Sequence, residues 1–418
     1  MTVRILHFAD AHIDMANYGR FDPESMLPIR VTDFLKSLDR IVDTAIESEV
    51  DLVIFAGDAY KDRNPHPTFQ REWGRRIMRL SQAGIRTILL VGNHDVSPAA
   101  GRAHAVAEFD TLRVPLVTVA DQIRRYDPDE LGVPLQLITV PWIPRSQLMT
   151  RAEMASKSLE EIRLYVEDRL IARVNSLLDG ADSNLPTVLV AHATISGAEY
   201  GSEQLVRLGN ELVLTQALVR DARLDYVALG HIHKHQNLNP TNDPPVVYPG
   251  SIERVDFGEA DEDKGFVLAD VSRGKTDWRF VVVPTRQLLD LRIRLENPYT
   301  VMDDILRRLP RAERLEGAIV RLRLSYPAEW EVLIDDTAIH KALEPTLESH
   351  IAKFRLREDR SRLGDAAAVE TLGPIELLDR YWKAIDMDEK QVAQLHALGT
   401  EIIRTVDENR HDSDSTRA

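Results

Sequence analysis

The chain has 418 residues, too many for one compact core, with the 44% hydrophobic and 28% charged content of an ordinary soluble globular protein. Its net charge of −15 argues against a general nucleic-acid coat, whose affinity comes from Lys and Arg displacing phosphate counterions, without excluding a local basic groove. The absence of cysteine excludes disulfides, thiolate ligands and a Cys nucleophile, so any metal is held by oxygen and imidazole nitrogen, which suits Mn, Mg, Fe or Zn in an open catalytic site. No apolar run reaches the roughly 18 residues of a membrane span. The N-terminus runs into a strand carrying Asp10 and His12 rather than a signal peptide, and a cytoplasmic location is expected.

Residues 5–9 form the first β-prone run and lead straight into Asp10 and His12. After a polar loop at 18–23 comes a helix in which Leu35, Leu38, Ile41, Val42, Ala45 and Ile46 recur at three- and four-residue spacing. The run 52–56 ends in Gly57 and Asp58, and a second loop at 59–67 precedes a helix at 68–82 that stops before Gly84. The run 87–91 turns at Gly92 into Asn93, His94 and Asp95, followed by a small-residue excursion at 98–101. A strand at 135–140 and a long amphipathic helix at 150–180, with Leu159, Ile162, Leu164, Val166, Leu170 and Val174 on its apolar face, lead to the run 188–191 and His192. The run 226–229 ends in Gly230, His231, Ile232 and His233. Across 225–285, Pro-Gly, Phe-Gly and Lys-Gly signals separate short strands and predict antiparallel hairpins closing a second sheet. Strands alternating with helices, then a run of strands, predict an α/β fold, a two-sheet β-sandwich flanked by helices, over 1–285.

The pattern resets near Pro284. Residues 286–365 pair strands such as 318–324 with helices such as 300–309 and 336–351, a separate small α+β domain. From 366 to 406 the chain reads as a helical hairpin: Ile375, Leu378, Trp382 and Ile385 line one helix, Asp388 caps the next, and Val392, Leu395, Leu398, Ile402 and Ile403 line it. Two such short helices cannot fold alone and must dock. The polar stretch 407–418 is expected to be a disordered tail.

Five apolar strands, each ending in His, Asp or Asn, describe one metal site assembled from distant segments. Two cations about 3.5–4 Å apart can clamp the attacking and leaving oxygens of a phosphoryl displacement. Such a pair needs a carboxylate between the ions to offset their repulsion, and neutral imidazoles and an amide to complete the shells without overcharging them. Asp10, His12, Asp58, Asn93, His192, His231 and His233 meet that demand, and His94 is placed to meet the phosphate or the leaving group.

These residues resemble the five motifs of the calcineurin-like metallophosphoesterases. Within that superfamily the chain is most similar to the SbcD-type nuclease subunit of the double-strand-break repair nuclease–ATPase complex. The stretches 6–13, 230–236 and 248–251 carry that subfamily likeness, as does the order of parts. The resemblance implies that Asp10, His12, Asp58 and His233 hold one ion, and that Asp58, Asn93, His192 and His231 hold the other. Asp58 is then the bridge, and His94 the catalytic histidine that protonates or stabilises the departing 3′ oxygen. It implies two divalent ions, typically Mn2+, and a DNA exonuclease and endonuclease for double-strand-break repair. It also implies a DNA-contacting capping domain at 286–365, an SbcC-like coiled-coil ATPase bound through the hairpin, and a homodimer within the complex. Two positions depart from the pattern. Lys61 stands where many members carry a DNA-orienting His, so either its cation serves or the role is lost. His235 stands where members often have Pro.

Arg20, Lys61, Arg63, Lys234 and Arg254 flank the motif loops and are substrate-binding candidates through phosphate contacts, the alternative being ordinary surface charge. Asp95 either orients His94 or caps the following turn. His7 reads as a satisfied core histidine. His66, His104 and His235 read as loop residues, of which His235 alone is a candidate substrate contact. Two other functions stay open: a sibling phosphoesterase acting on small phosphodiesters or phosphoproteins, and a non-catalytic scaffold working through its last helices.

Overall fold

The apolar runs that end in polar residues become the inner strands of two sheets, because each run is buried on both faces. The computed structural model describes residues 1–18, 20–96, 102–143, 158–201, 213–356, 373–384 and 387–414. The excursion at 98–101, the start of the long helix at 150–157, Ile385 and the boundary expected at 365/366 lie outside the described residues. The chain forms two compact units, residues 1–324 with 334–353, and residues 325–333 with 354–418.

In chain order the strands are β1 (Val3–Phe8), β2 (Leu52–Phe55), β3 (Arg86–Leu90), β4 (Val117–Ala120), β5 (Arg124–Tyr126), β6 (Gln136–Val140) and β7 (Thr187–His192). Then come β8 (Thr194–Ile195) and β9 (Val213–Leu214), which pair with each other, β10 (Tyr226–Gly230), β11 (Gln236–Asn237), β12 (Val246–Tyr248), β13 (Gly265–Ser272) and β14 (Lys275–Val282). The first sheet runs β14-β13-β1-β2-β3-β4, and the second β11-β12-β10-β7-β6-β5. The strands β1 to β4 are parallel, as are β6, β7, β10 and β12, so their carboxyl ends share one edge of each sheet.

Side-chain alternation divides the core into layers. Ile5, Ile54 and Ile88 of the first sheet face Leu137, Val188, Val190 and Ala228 of the second. On the outer face of the first sheet, Phe8, Phe55 and Leu89 pack under the helices Ile29–Glu47 and Pro67–Gln82 through Phe34, Leu38, Trp73 and Ile77. On the outer face of the second, Ile138, Leu189 and Leu229 meet the helix Leu159–Asp179 through Ile162, Val166, Leu170 and Val174. The result is the two-sheet sandwich flanked by helices. His7, between the sheets, meets Tyr226 Oη at 3.0 Å and the Leu229 carbonyl at 3.1 Å, and burial lowers its pKa to about 3.

Two expectations change. The β13–β14 hairpin does not close the second sheet: β13 pairs antiparallel with β1 and widens the first, because Val267, Ala269 and Val271 alternate into the inter-sheet layer. The helix expected over 336–351 stops early, as Asp336–Ala342, and Glu348–Leu356 is strand β17. Pro345 has no N–H for a helix to use, and the Leu347 N–H goes to the Ala318 carbonyl at 2.9 Å. With β15 (Leu288–Arg294) and β16 (Ile319–Pro327), β17 makes a three-stranded sheet in the order β15-β16-β17.

In the second unit, the helices Pro374–Ala384 and Glu389–Asp414 pack where Gly399 leaves room for Ile375, Leu378 and Trp382. The second helix runs past 407, into the stretch where composition predicts a disordered tail.

Candidate metal centre

The ligand-type side chains stand at the carboxyl end of β7 and just beyond those of β1, β2, β3 and β10, where the chain must reverse sharply. Four of them hold left-handed or strained backbone: φ is 49° at Asp10, 39° at His12, 65° at Asp58 and 98° at His231. Such conformations cost on the order of 1–3 kcal/mol each and persist only where the surroundings fix them. Here two adjacent loops are stitched together. The Asp10 N–H donates to the Gly57 carbonyl at 2.9 Å, Ala11 to Asp58 at 2.9 Å, and Ile13 to Ala59 at 3.1 Å. Gly57, at φ 101°, completes the turn, and a Cβ on it would sit 2.4 Å from His192 Nδ1.

The side chains converge in two buried groups, Asp10 with His12 and His233, and Asp58 with His192 and His231; within each, the ligand atoms lie within 4.8 Å of one another. The Asn93 side chain joins the second group: its Oδ1 lies 2.9 Å from His192 Nε2 and 2.8 Å from His231 Nδ1. The Asp10 carboxylate accepts the His231 N–H at 3.1 and 3.0 Å, tying the two groups together.

Proton placement shows that this donor set fits cations. The Nδ1 of His12 faces the Tyr60 carbonyl at 3.2 Å and that of His192 the Ala56 carbonyl at 2.7 Å, and a carbonyl only accepts, so both nitrogens donate. The Nδ1 of His233 likewise faces the Glu259 carboxylate at 2.9 Å. The Nε2 atoms of His12 and His233 are then lone-pair carriers facing each other at 3.1 Å, and His192 Nε2 faces oxygens of Asn93 and, at 3.3 Å, of Asp58. Lone pairs that converge this way repel unless a positive charge sits among them. Imidazoles fixed by an outward Nδ1–H bond are a recurrent feature of metal sites.

The titrations follow. Burial pushes the Asp10 carboxyl up to about 6, and it pushes His12 well below the ordinary imidazole range. Burial alone would lower His192 as well, but the Asp58 carboxylate beside it raises it to about 9. At neutral pH the metal-free chain therefore keeps a proton on His192 where a cation belongs. Metal must expel one proton between about pH 6 and 9 and a second, from Asp10, below 6. Mn2+ affinity is expected to rise roughly tenfold per pH unit from 6 to 9, and more steeply below 6. Calorimetric titration at several pH values, with proton release read in buffers of different ionisation heat, measures that slope; a flat profile would contradict this proton placement.

The remaining expected residues part company. His94 donates its backbone N–H to Asp58 Oδ1 at 2.8 Å, and its Nδ1 donates to the Lys61 carbonyl at 2.7 Å, so Nε2 carries the lone pair of the neutral ring. Asp95 does not orient His94. Buried, it accepts the N–H groups of Asp58 at 2.9 Å, Ala59 at 3.0 Å and Gly92 at 2.8 Å, so it fixes the β2 and β3 loop ends against each other. Lys61, Arg63 and His94 line a groove of about 1160 Å³ together with His66, Phe69 and Arg102. Arg20 is exposed outside that lining. Lys234 pairs with Glu199 at 2.5 Å on the surface. Arg254 is spent inside the protein, on the carbonyls of Glu259, Glu262 and Arg286 and on Thr285 Oγ1. His235 stacks on Phe280 at 3.8 Å and bonds the Tyr248 carbonyl at 2.8 Å.

Sequence reasoning missed Asp14, whose carboxylate takes the N–H groups of Lys61 at 2.5 Å and Asp62 at 2.9 Å and so shapes the loop that holds His94. It also missed Glu259 and Lys264, both fully buried and 2.9 Å apart. Burial would raise the Glu259 carboxyl, but Lys264 and His233 hold it down at about 2. Both residues stand in the charged run 259–264, where no spacing sets them apart from ordinary surface groups.

Residues 3–235 match the calcineurin-like phosphoesterase family, a span holding all seven ligand-type residues and His94. The chain belongs to that family. Calcineurin-like phosphoesterases are hydrolases with dinuclear metal sites, and the two groups of this chain are its candidate pair. Among curated relatives, the SbcD component of the nuclease SbcCD of Escherichia coli is 24% identical over 422 residues, covering 97% of this chain and 98% of that one. "DNA double-strand break repair protein Mre11" of Archaeoglobus fulgidus is 23% identical over 332 residues, 76% of this chain and 67% of its own. "Uncharacterized metallophosphoesterase YhaO" of Bacillus subtilis is 25% identical over 279 residues, and the match spans 66% of this chain and 59% of that protein. No helix among the described residues is long and apolar enough to cross a membrane.

Proposed function

We propose that this phosphoesterase is a metal-dependent DNA nuclease. It hydrolyses phosphodiesters with two divalent ions, Mn2+ for preference, as an exonuclease on duplex ends and an endonuclease on single strands and hairpins. The observation that carries the reading is a groove lined by Lys61, Arg63 and Arg102 against Asp14 and Asp62, a net cationic seat on a chain of net charge −15, which includes His94, the residue whose backbone N–H donates to Asp58 of the second ligand group.

Asp10, His12 and His233 would hold one ion and Asn93, His192 and His231 the other, with Asp58 shared between them. When bound, such a pair neutralises the phosphate and supplies an activated water. His94 offers Nε2 to the leaving oxygen, its ring held by the Lys61 carbonyl. Residues 286–365 serve as the DNA-contacting cap, and the helical hairpin that begins at 366 binds an SbcC-like coiled-coil ATPase. The exposed Leu395, Leu398 and Ile402 support that docking. The similarity over 97% of the chain to the Escherichia coli nuclease component supports the nuclease reading, and that to the Archaeoglobus fulgidus protein the break-repair setting, in which we place the chain as a cytoplasmic homodimer within the complex.

The acidic net charge favours a second reading, hydrolysis of small phosphodiesters or phosphoproteins by the same site. Incubating the protein with a DNA duplex, a DNA hairpin, bis-p-nitrophenyl phosphate and a phosphopeptide, with and without Mn2+, separates the two. DNA cleavage that requires Mn2+ is the expected result. Turnover of the small diester or the phosphopeptide with DNA untouched would transfer the assignment to the second reading.

A further inference from the structure

We propose that Glu259 is the positioning residue for the ion seated by Asp10, His12 and His233, and that the short turn Phe257–Glu259 ties that seat to the three-stranded sheet. The inference rests on the two-metal reading of the site and is independent of what the substrate is.

Of the imidazoles in the two groups, His12 and His192 take their orientation from backbone carbonyls, those of Tyr60 and Ala56. His233 is held differently. Its Nδ1–H goes to a carboxylate oxygen of Glu259 at 2.9 Å, and Glu259 is fully buried 26 positions further along the chain. Nothing about that carboxylate is loose. Its second oxygen accepts the Val255 N–H at 2.8 Å and lies 2.9 Å from Lys264 Nζ and 3.4 Å from Ser251 Oγ. Lys264 Nζ in turn donates to the His233 carbonyl at 2.9 Å and to Glu262 at 2.8 Å. The ring and the backbone of His233 are thus gripped by one buried ion pair, and the ring is aimed so that Nε2 meets His12 Nε2 at 3.1 Å. A carboxylate behind an imidazole fixes its tautomer and raises its basicity as a ligand, and losing one costs roughly 10- to 100-fold in metal affinity.

The turn that carries Glu259 begins at Phe257, and the Asp256 carboxylate caps it by accepting the Gly258 N–H at 2.6 Å. Phe257 is an anchor. Its ring is buried with Leu288 of β15 and Ile319 of β16, the Arg321 guanidinium lies 4.4 Å from its centre, and Tyr18 meets it edge-on at 5.2 Å. A single residue, Gly258, therefore separates a side chain packed on the small sheet from one that aims a metal ligand.

Mn2+ binding by the full chain tests this, read as stoichiometry and affinity in a calorimetric titration and as the electron paramagnetic resonance of the bound ions. The wild type should take up two ions with the exchange-coupled spectrum of a close pair. Glu259→Gln should keep the ion of the Asp58, His192 and His231 group, bind the other roughly 10- to 100-fold more weakly, and show an isolated-ion spectrum at two equivalents. Phe257→Leu should weaken the same ion several-fold. Two ions at wild-type affinity in a folded Glu259→Gln would overturn the positioning role, and an unchanged Phe257→Leu would overturn the tie to the sheet. If Glu259→Gln does not fold, Glu259→Asp is read by the same criteria, because it keeps the charge opposite Lys264 while withdrawing it from His233. A wild type that binds no Mn2+ would instead sink the two-metal reading itself, and a wild type that binds two ions without cutting DNA leaves this inference standing.

Discussion

A His94→Gln variant is expected to bind Mn2+ as the wild type does and to hydrolyse phosphodiesters roughly 10²- to 10⁴-fold more slowly. The two halves of that expectation come from different atoms. The His94 contribution to the ligand cradle is its backbone N–H, which donates to Asp58 Oδ1 at 2.8 Å and survives any side-chain change except proline. Its ring belongs to neither ligand group. Instead Nδ1 meets the Lys61 carbonyl at 2.7 Å, and the ring borders the basic groove. Glutamine can still donate a hydrogen bond to that carbonyl, but it cannot give or take a proton, so the loss falls on turnover. Metal content after dialysis, the melting temperature and kcat measured together settle it. A variant that also loses metal would make His94 a ligand, and one that keeps turnover would take the leaving-group chemistry away from it.

The candidate site was legible because its chemistry repeats one local grammar. A strand buried on both faces is a run of β-prone apolar residues, and the residue that follows such a run is the first that can be polar. Asp10 and His192 stand at that position, and Asp58, Asn93 and His231 follow it after a single glycine. What surrounds them obeys no such grammar. Arg254 looks like a phosphate contact in sequence because it is a cation beside a motif loop, yet three carbonyls and a hydroxyl absorb its guanidinium. Asp95 follows His94 directly and still serves other groups, since its side chain points back to the N–H groups of Asp58, Ala59 and Gly92. Glu259 could not be found by spacing, because its link to His233 is made by a turn whose position depends on where Phe257 packs. Helix and strand alternation likewise identifies the sandwich but not which sheet takes an extra hairpin. That choice is made by tertiary packing: β13 pairs with β1 in the first sheet, although β11 and β5 end the second.

Gly92→Ala is expected to abolish tight binding of Mn2+ while leaving a folded protein. A Cβ built on Gly92 would lie 2.2 Å from Asp58 Oδ1, 2.5 Å from the Asp58 nitrogen and 2.9 Å from its Cγ, so the added carbon lands on the carboxylate of the second ligand group, the one proposed to be shared by both ions. The neighbour cannot yield cheaply. The Asp58 N–H is bonded to Asp95 at 2.9 Å, the Gly92 N–H to the same oxygen at 2.8 Å, and Asp58 already sits at φ 65°. Relief must come by rotating the carboxylate away or by parting the ends of β2 and β3. Overpacking of this kind costs about 1–3 kcal/mol, less than the total stability of a typical domain, so the fold survives. Metal ligation does not, because ligand distances tolerate only about 0.2 Å of error. The same substitution at Gly74, inside the helix Pro67–Gln82 with nothing within 4 Å of a new Cβ, provides the contrast and should stabilise by about 0.5–1 kcal/mol. Mn2+ titration and thermal melting of the pair read the two effects separately. If Gly92→Ala binds two ions as tightly as the wild type, Asp58 has room that the packing denies it, and its place between the ions would have to be given up.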